Sequence, residues 1–445
     1  MRDILLIAVV FGGSLIALFR PPFGMLLFAF LGFFNPHTIT WGVARTLPFS
    51  QIVAVCTIVG YLISSEPKQF PKQRELLLLL ALWCLFGVST VFAISYTDAI
   101  SKYVFVSKIF LMVILSTVVM TTKDRVLSLL RVIALSVGFF AAKGGVFAIA
   151  SGGNHLVYGP DPSFLAANNS IGLAMAMNVP LLAYLAKIES RQWLRQIMRA
   201  MLVLSYPAVV CTYSRGAWLG LAMATVLIVF KSRHRFVTAA ATGIVIAILI
   251  PLLSHLAPTR LTQRYDTLAN YEKDASAESR FWNWEFCRRV GTARPLTGGG
   301  FDFYSIRLYE TYYPEFLERW PGKFWSCHSM WLTVLGEHGI VAFLLWLALM
   351  FSALVSLRRI RAYASIDAQF AWMSQCADAL QGGLVAFMVV GTFLDTAYFD
   401  MYYFLIAAVV IMKEIIRRSS QSGPIVETVR RAMPSMTEPA PLHVG

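Results

Sequence analysis

Charge is what this sequence has least of. Asp, Glu, Lys and Arg make up 14% of its 445 residues, against 57% for the apolar and aromatic types. That is too little polar surface to keep a folded chain of this size dispersed in water, which excludes a soluble enzyme or binding protein. Apolar runs long enough to cross a bilayer recur along almost the whole length, so the chain reads as a polytopic membrane protein. Acidic residues are scarcer than basic ones, and the net charge is +14. The Lys and Arg residues stand in short clusters between apolar runs rather than in one patch, a pattern that orients membrane helices and argues against nucleic acid as a partner. Cysteine is also rare. The six cysteines show no metal spacing, and Cys56, Cys84, Cys211 and Cys376 lie in or beside apolar runs. Cys287 and Cys327 share one loop and could pair if it lies outside the cytoplasm, but they are read as unpaired packing. No aspartate-rich metal motif and no repeat between the two halves is present. No small-residue cleavage site follows the first run, Ile4 to Leu18, so no cleavable signal peptide is expected.

The apolar runs predict helices near 48–64, 74–93, 103–120, 126–149, 168–186, 198–212, 215–230, 236–254, 327–355, 377–394 and 399–416. Basic clusters fall on alternate connections: Lys68, Lys72 and Arg74; Lys123 and Arg125; Lys187, Arg191 and Arg195; Lys231, Arg233 and Arg235; Arg358, Arg359 and Arg361; Lys413, Arg417 and Arg418. The positive-inside rule puts all of them, and the C-terminus, in the cytoplasm. Arg20-Pro21-Pro22 divides residues 1–34 into two short apolar pieces. With a cytoplasmic N-terminus these read as one interrupted crossing, for about twelve spans in all. The expected organisation is an N-terminal bundle over 1–254, a large extracytoplasmic loop over 255–326, C-terminal helices over 327–416, and a polar, disordered tail over 417–445.

The loop differs from everything around it. Between Pro258 and Ser326 it holds nine of the 24 acidic and ten of the 38 basic residues, with sixteen aromatics. A loop this long without structure of its own would be unusual, so an ordered subdomain of short helices lying on the bundle is expected. ESRFWNWEFCRRV (278–290) has helical spacing, and LTGGGFDFYSI (296–306) is a glycine turn with aromatics.

Three features carry candidate chemistry. YSRGAWLG (213–220) puts Arg215 at the extracytoplasmic start of a helix, on the side that should be poor in positive charge. Snorkelling to the interface is the alternative, but that placement favours a functional role. Arg280 in ESRFWNW precedes an aromatic helix and could equally be a solvated partner of Glu278. CHSMWLTVLGEHGIVAFLLW (327–346) puts His328 at the mouth of a helix and His338 ten residues deeper, roughly 15 Å along the axis. The two share one small site only if the helix breaks at Gly336 or Gly339. His328 suits a general base that takes a proton from a hydroxyl, whereas Glu337 and His338 suit a supporting polar network. Arginines grip phosphate oxygens through paired donors, so two guanidiniums and an imidazole on one membrane face fit transfer away from a diphosphate, with the arginines in place of a divalent ion. Tyr213, Trp284 and Arg288, close to these groups in sequence, are candidates for substrate contact. Lys108 and Lys143 lie within apolar runs, where a charge is costly unless paired or facing water, and Lys143 is the candidate for the extracytoplasmic side.

These residues resemble the O-antigen ligase family of bacterial membrane glycosyltransferases. Its signature is a histidine, then Asn, Ser or Gln, nine residues, a glycine, two residues, and Gly, Thr or Tyr. Here His328-Ser329 precedes nine residues and Gly339, and Ala342 departs from the last element. YSRGAWLG and ESRFWNW with RPLTGGGFDFY (294–304) resemble the family's two arginine motifs, and Asp395 in FLDTAYFD stands where the ligases carry an acidic residue. FNPHTITWG (34–42) resembles an O-glycosylation branch of the same family. The resemblance implies a bundle like that of the GT-C glycosyltransferases in the inner membrane, with its site facing the periplasm. It implies transfer of a glycan from undecaprenyl diphosphate to a lipid A–core hydroxyl, with membrane lipids as further partners and no cofactor. His328, Arg215 and Arg280 would be catalytic. O-antigen polymerase and protein O-glycosylation remain open within the family. Outside it, Lys108, Lys143 and glycine breaks could line a transport pathway, which the aromatic loop suits less well.

Overall fold

The computed structural model describes residues 1–232, 234–241, 243, 244, 247 and 275–421. All regular structure among them is helical. In chain order the helices are α1 (Arg2–Phe19), α2 (Pro21–Phe34), α3 (Phe49–Ile63), α4 (Arg74–Val91), α5 (Tyr96–Val119), α6 (Lys123–Ala150), α7 (Asn168–Ile188), α8 (Gln192–Val210), α9 (Arg215–Lys231), α10 (Ala275–Ala293), α11 (Ile306–Tyr312), α12 (Pro314–Arg319), α13 (Met330–Ala364), α14 (Ala371–Gly391) and α15 (Asp400–Gln421). Seven segments, α1, α4, α5, α6, α7, α13 and α14 with the turn before it, are long and apolar enough to cross a bilayer, and α2 and α3 are shorter apolar helices. The chain is a multi-pass membrane protein. The described residues do not establish twelve spans: α9 has 17 residues, α8 and α15 are more polar, and most of the span expected at 236–254 lies outside them. The part of the expected loop before residue 275, and the tail after 421, also lie outside them.

The expected single crossing over residues 1–34 is a hairpin instead. Pro21 has no N–H to extend α1 and opens α2 at its first position, while Arg20 leaves helical geometry at φ −135° and ψ 77°. The two pieces then fold back on each other. A Cβ on Gly13 would lie 2.5 Å from Leu27, and one on Gly24 would lie 2.6 Å from Ala17. Asp3 Oδ1 accepts from the backbone of Gly42 (3.0 Å) and Ala44 (3.2 Å), so the start of α1 sits with the short turns between α2 and α3. The start of α1 is therefore at the opposite end from Arg20, not beside it.

α15 is the centre of the bundle, with every residue from Met401 to Met412 buried. One end of the bundle gathers the charged pairs: Arg125 with Glu66, Lys231 and Arg361 with Asp378, and Lys413 with Glu75. The other end holds the starts of α7, α9 and α13 and the end of α14. A separate apolar cluster of Phe286, Val290, Phe303, Tyr309 and Phe316 joins α10, α11 and α12 above that end. The structure pairs Cys287 with Cys327 in a disulfide within this cluster, against the expectation of unpaired thiols. Forty residues separate them, and the fold brings their Cα atoms to 6.2 Å.

α13 breaks at Gly339, whose φ of 78° favours glycine. The break frees carbonyls one turn earlier, and the glycine turn satisfies them. Gly299 N donates to the Gly336 carbonyl (2.8 Å) and Gly300 N to the Glu337 carbonyl (2.9 Å). In return Val341 N donates to the Pro295 carbonyl (3.3 Å). A methyl group at Gly339 would be strained by its φ and would meet the Pro295 oxygen at 2.4 Å. Gly339→Ala is expected to cost roughly 1–3 kcal/mol from the backbone alone. The check is a lowered melting temperature of the detergent-solubilised protein.

Candidate active site

The starts of α7 and α9 meet at one point. Ser214 caps α9, its hydroxyl accepting from Ala217 N at 3.3 Å, so Arg215 is the first helical residue. The preceding loop is pinned from two sides. Asn168 Nδ2 donates to the Thr212 carbonyl (2.8 Å), and the Tyr213 hydroxyl donates to the Gly153 carbonyl (2.5 Å). Asn168, Asn169, Tyr213, Ser214, Arg215, Arg280, Phe393 and Leu394 line a cavity of about 210 Å³. Two arginines thus line one space, and the starts of α7 and α9 lie at it. The positive end of each helix dipole adds to the arginine charge, an arrangement that favours an anion.

His328 stands beside this cavity. Leu394, in its wall, is followed by Asp395, whose Oδ2 lies 3.3 Å from His328 Nδ1. Ser326 donates to the same oxygen and Thr333 donates to Oδ1 at 2.8 Å. Burial pushes the Asp395 carboxyl up, but the bonds from His328, Ser326 and Thr333 outweigh it and hold it below the usual aspartate value. The contact is therefore present above the ordinary carboxylate range and is lost only as pH falls through that lowered value. The His328 side chain is 44% exposed, within reach of a substrate. Tyr213, Asp302 and His328 are three of the four non-glycine residues with positive φ among the described residues. Such conformations persist where surrounding structure imposes them, and they cluster at functional sites.

Behind His328 lies a buried polar network. Glu337 accepts from the Asp302 backbone N–H (3.1 Å) and from the Tyr398 hydroxyl. Because Tyr398 gives its proton to Glu337, it accepts from His338 Nε2 (2.7 Å). His338 Nδ1 is then left to accept from Ser89 (2.5 Å). Phe86 and Phe301 pack on the His338 ring at 4.0 and 4.4 Å between centroids, and the side chain has no exposure. Tyr304 lies between this network and Asp395; burial, then Glu337 and Asp395, push its hydroxyl well above its usual value, so it remains a donor. The break at Gly339 does not bring His338 out to His328.

Other sequence candidates lie elsewhere. Arg288 is exposed and forms a two-bond pair with Glu285, both contacts at 2.7 Å. Hydrogen bonding from Arg288 outweighs burial and takes the Glu285 carboxyl down to about 2. Lys143 has an exposed side chain on α6 and does not line the cavity. Trp284 is one turn along α10 from Arg280, its ring 5.3 Å from that of Phe281, and its buried Nε1 has no partner among the described residues. Sequence reasoning passed over Asn168 and Asn169. Their signal was available: paired asparagines just ahead of an apolar run mark a helix start. Ser326, Thr333 and Tyr398 had no such signal.

The family model described as O-Antigen ligase (Wzy_C) matches residues 200–347, a segment that contains Tyr213, Arg215, Arg280, the glycine turn and His328. That segment is similar to the O-antigen ligase family. Residues 1–190 match a separate model, described as a family of unknown function (DUF5935). No curated protein matches the chain. The matched domain supports the O-antigen ligase/polymerase superfamily, whose members have glycosyltransferase-like activity and lipid-linked glycan partners in general. Asn168, Asn169 and Asp395 lie outside the matched segment yet share its cavity or its histidine.

Proposed function

We propose that the protein transfers a glycan from undecaprenyl diphosphate to a lipid A–core sugar hydroxyl on the periplasmic face of the inner membrane, without a metal and with inversion. The observation that carries this reading is the shared cavity of Arg215 and Arg280 beside the His328–Asp395 pair. With Nδ1 held toward Asp395, His328 Nε2 accepts the proton of the acceptor hydroxyl. The hydroxyl oxygen bonds to the anomeric carbon as the bond from that carbon to the diphosphate oxygen breaks. The diphosphate leaves with that electron pair, held by Arg215, Arg280 and the starts of α7 and α9. The basic clusters at the opposite end of the bundle support a cytoplasmic position for that end, and a disulfide near His328 fits an oxidising compartment.

The test is a detergent assay with undecaprenyl-diphosphate glycan, lipid A–core and EDTA throughout. Enlargement of the acceptor supports the ligase reading, whereas longer chains on the carrier alone would replace it with a polymerase. Transfer to serine or threonine of an added protein would favour the second reading, protein O-glycosylation. That reading has one support: the stretch resembling the O-glycosylation branch forms its turns at the same end of the bundle as the cavity, where Arg45 reaches the Asp161 carbonyl at 3.5 Å.

Arg215 separates charge from geometry. Arg215→Ala is expected to lower turnover roughly 10²-fold, as for loss of one donor to a developing anion. Arg215→Lys should recover part of that loss, because the charge remains while the paired donors do not. Initial rates at saturating donor check both.

A further inference from the structure

The end of the bundle opposite the active site carries a second cavity, about 610 Å³, whose walls include α7, α8, α9 and α14. Its walls are mostly apolar side chains on the outer faces of these helices. Two tyrosines within the walls already have partners: Tyr184 donates to the Trp372 carbonyl (3.2 Å), and the Tyr206 hydroxyl pairs with Thr225 (3.1 Å). The mouth is different. Lys187, Arg199, Lys231 and Arg361 line it against one carboxylate, Asp378. Lys231 Nζ (2.7 Å) and Arg361 Nη1 (3.2 Å) share a single oxygen of Asp378. The mouth therefore keeps a surplus of three positive charges directly above an apolar groove.

That pairing of parts selects its occupant. A free anion would use the cations and leave the apolar walls idle, and a neutral lipid would use the walls and leave the cations idle. A molecule with a phosphate joined to an acyl chain uses both, and basic pockets between helices at the cytoplasmic end are where anionic headgroups lodge. We propose that this groove binds one anionic glycerophospholipid, its phosphate among Lys187, Arg199, Lys231 and Arg361 and its acyl chain along α7, α8 and α9. The position gives the lipid a bearing on the reaction site. α7, α9 and α14 each run from this groove to the active-site cavity, from Lys187 to Asn168, from Lys231 to Arg215 and from Asp378 toward Leu394. The 21 residues of α7 span roughly 30 Å, about one hydrocarbon thickness.

The experiment uses the full chain, stripped of lipid in neutral detergent, titrated with phosphatidylglycerol or phosphatidylcholine and read by native mass spectrometry. Phosphatidylglycerol should be retained over phosphatidylcholine, and Lys187→Gln and Arg199→Gln should each weaken retention about fivefold. Asp378→Asn removes the competing carboxylate and should strengthen retention, a result that loss of folding cannot mimic. Equal retention of the two lipids, or phosphatidylglycerol retention indifferent to all three substitutions, would overturn the proposal. Displacement of the lipid by millimolar inorganic phosphate, with the same dependence on Arg199, would assign the groove to a free anion and overturn it as well.

Discussion

His328→Ala should lower the rate of glycan transfer roughly 10²- to 10⁴-fold, the usual contribution of a positioned general base. The side chain is half exposed at the cavity edge, so its loss removes no core packing, and donor binding should change little. Donor retention measured separately from turnover distinguishes loss of the base from loss of the diphosphate site. Asp395→Asn provides the graded control. It keeps the shape of the contact but removes the carboxylate, so turnover should fall by less than for His328→Ala. Because the Asp395 carboxyl is held below its usual value, the wild-type contact should survive well into the acid range, and the substitution should act at neutral pH. A variant lacking His328 that kept its full rate would move the base elsewhere. His338 is a poor substitute, since Ser89 and Tyr398 occupy both of its ring nitrogens.

At the other end of the bundle, Lys413→Met should lower stability by about 3–5 kcal/mol, because it leaves a buried carboxylate without its cation. Glu75 has no exposure. It accepts from Lys413 Nζ at 2.6 Å, from Ser352 at 2.7 Å and from Ser356 at 2.6 Å, tying α4, α13 and α15 together. Two hydroxyls cannot replace the ammonium. Removing both charges with Lys413→Met and Glu75→Leu should cost much less than the single change, because no unpaired charge remains in the interior. Melting temperatures of the single and double variants in one detergent provide the comparison. Transfer by the double variant below its melting temperature should be near wild type, since neither residue approaches the active-site cavity.

Elements were legible where a single local property decided them. Apolar runs locate most of the helices, and an arginine at a helix start marks Arg215; Arg280, expected ahead of the aromatic helix, lies inside α10 instead. Features that depend on distant partners were not. Nothing around Ser89 or Tyr398 announces His338, 249 and 60 residues away in sequence. The hairpin at Arg20 is not legible in the sequence, because proline stops one helix and starts another without stating the direction of the second. Forty intervening residues give no measure of the distance between Cys287 and Cys327, so their pairing is not legible in the sequence. Arg288 was selected for its place beside an aromatic motif, but Glu285, three residues earlier, holds it on an exposed face. Gly336 and Gly339 are equally open to a break in sequence, and the docking of Gly299 and Gly300 shows why it falls at Gly339.

That docking has a thermal consequence. Among the described residues, the Gly336 and Glu337 carbonyls at the break accept from the glycine turn, so lifting the outer cluster away would remove those donors inside the apolar bundle. The two parts should therefore lose structure together, and calorimetry should record one transition where two separable domains would give two.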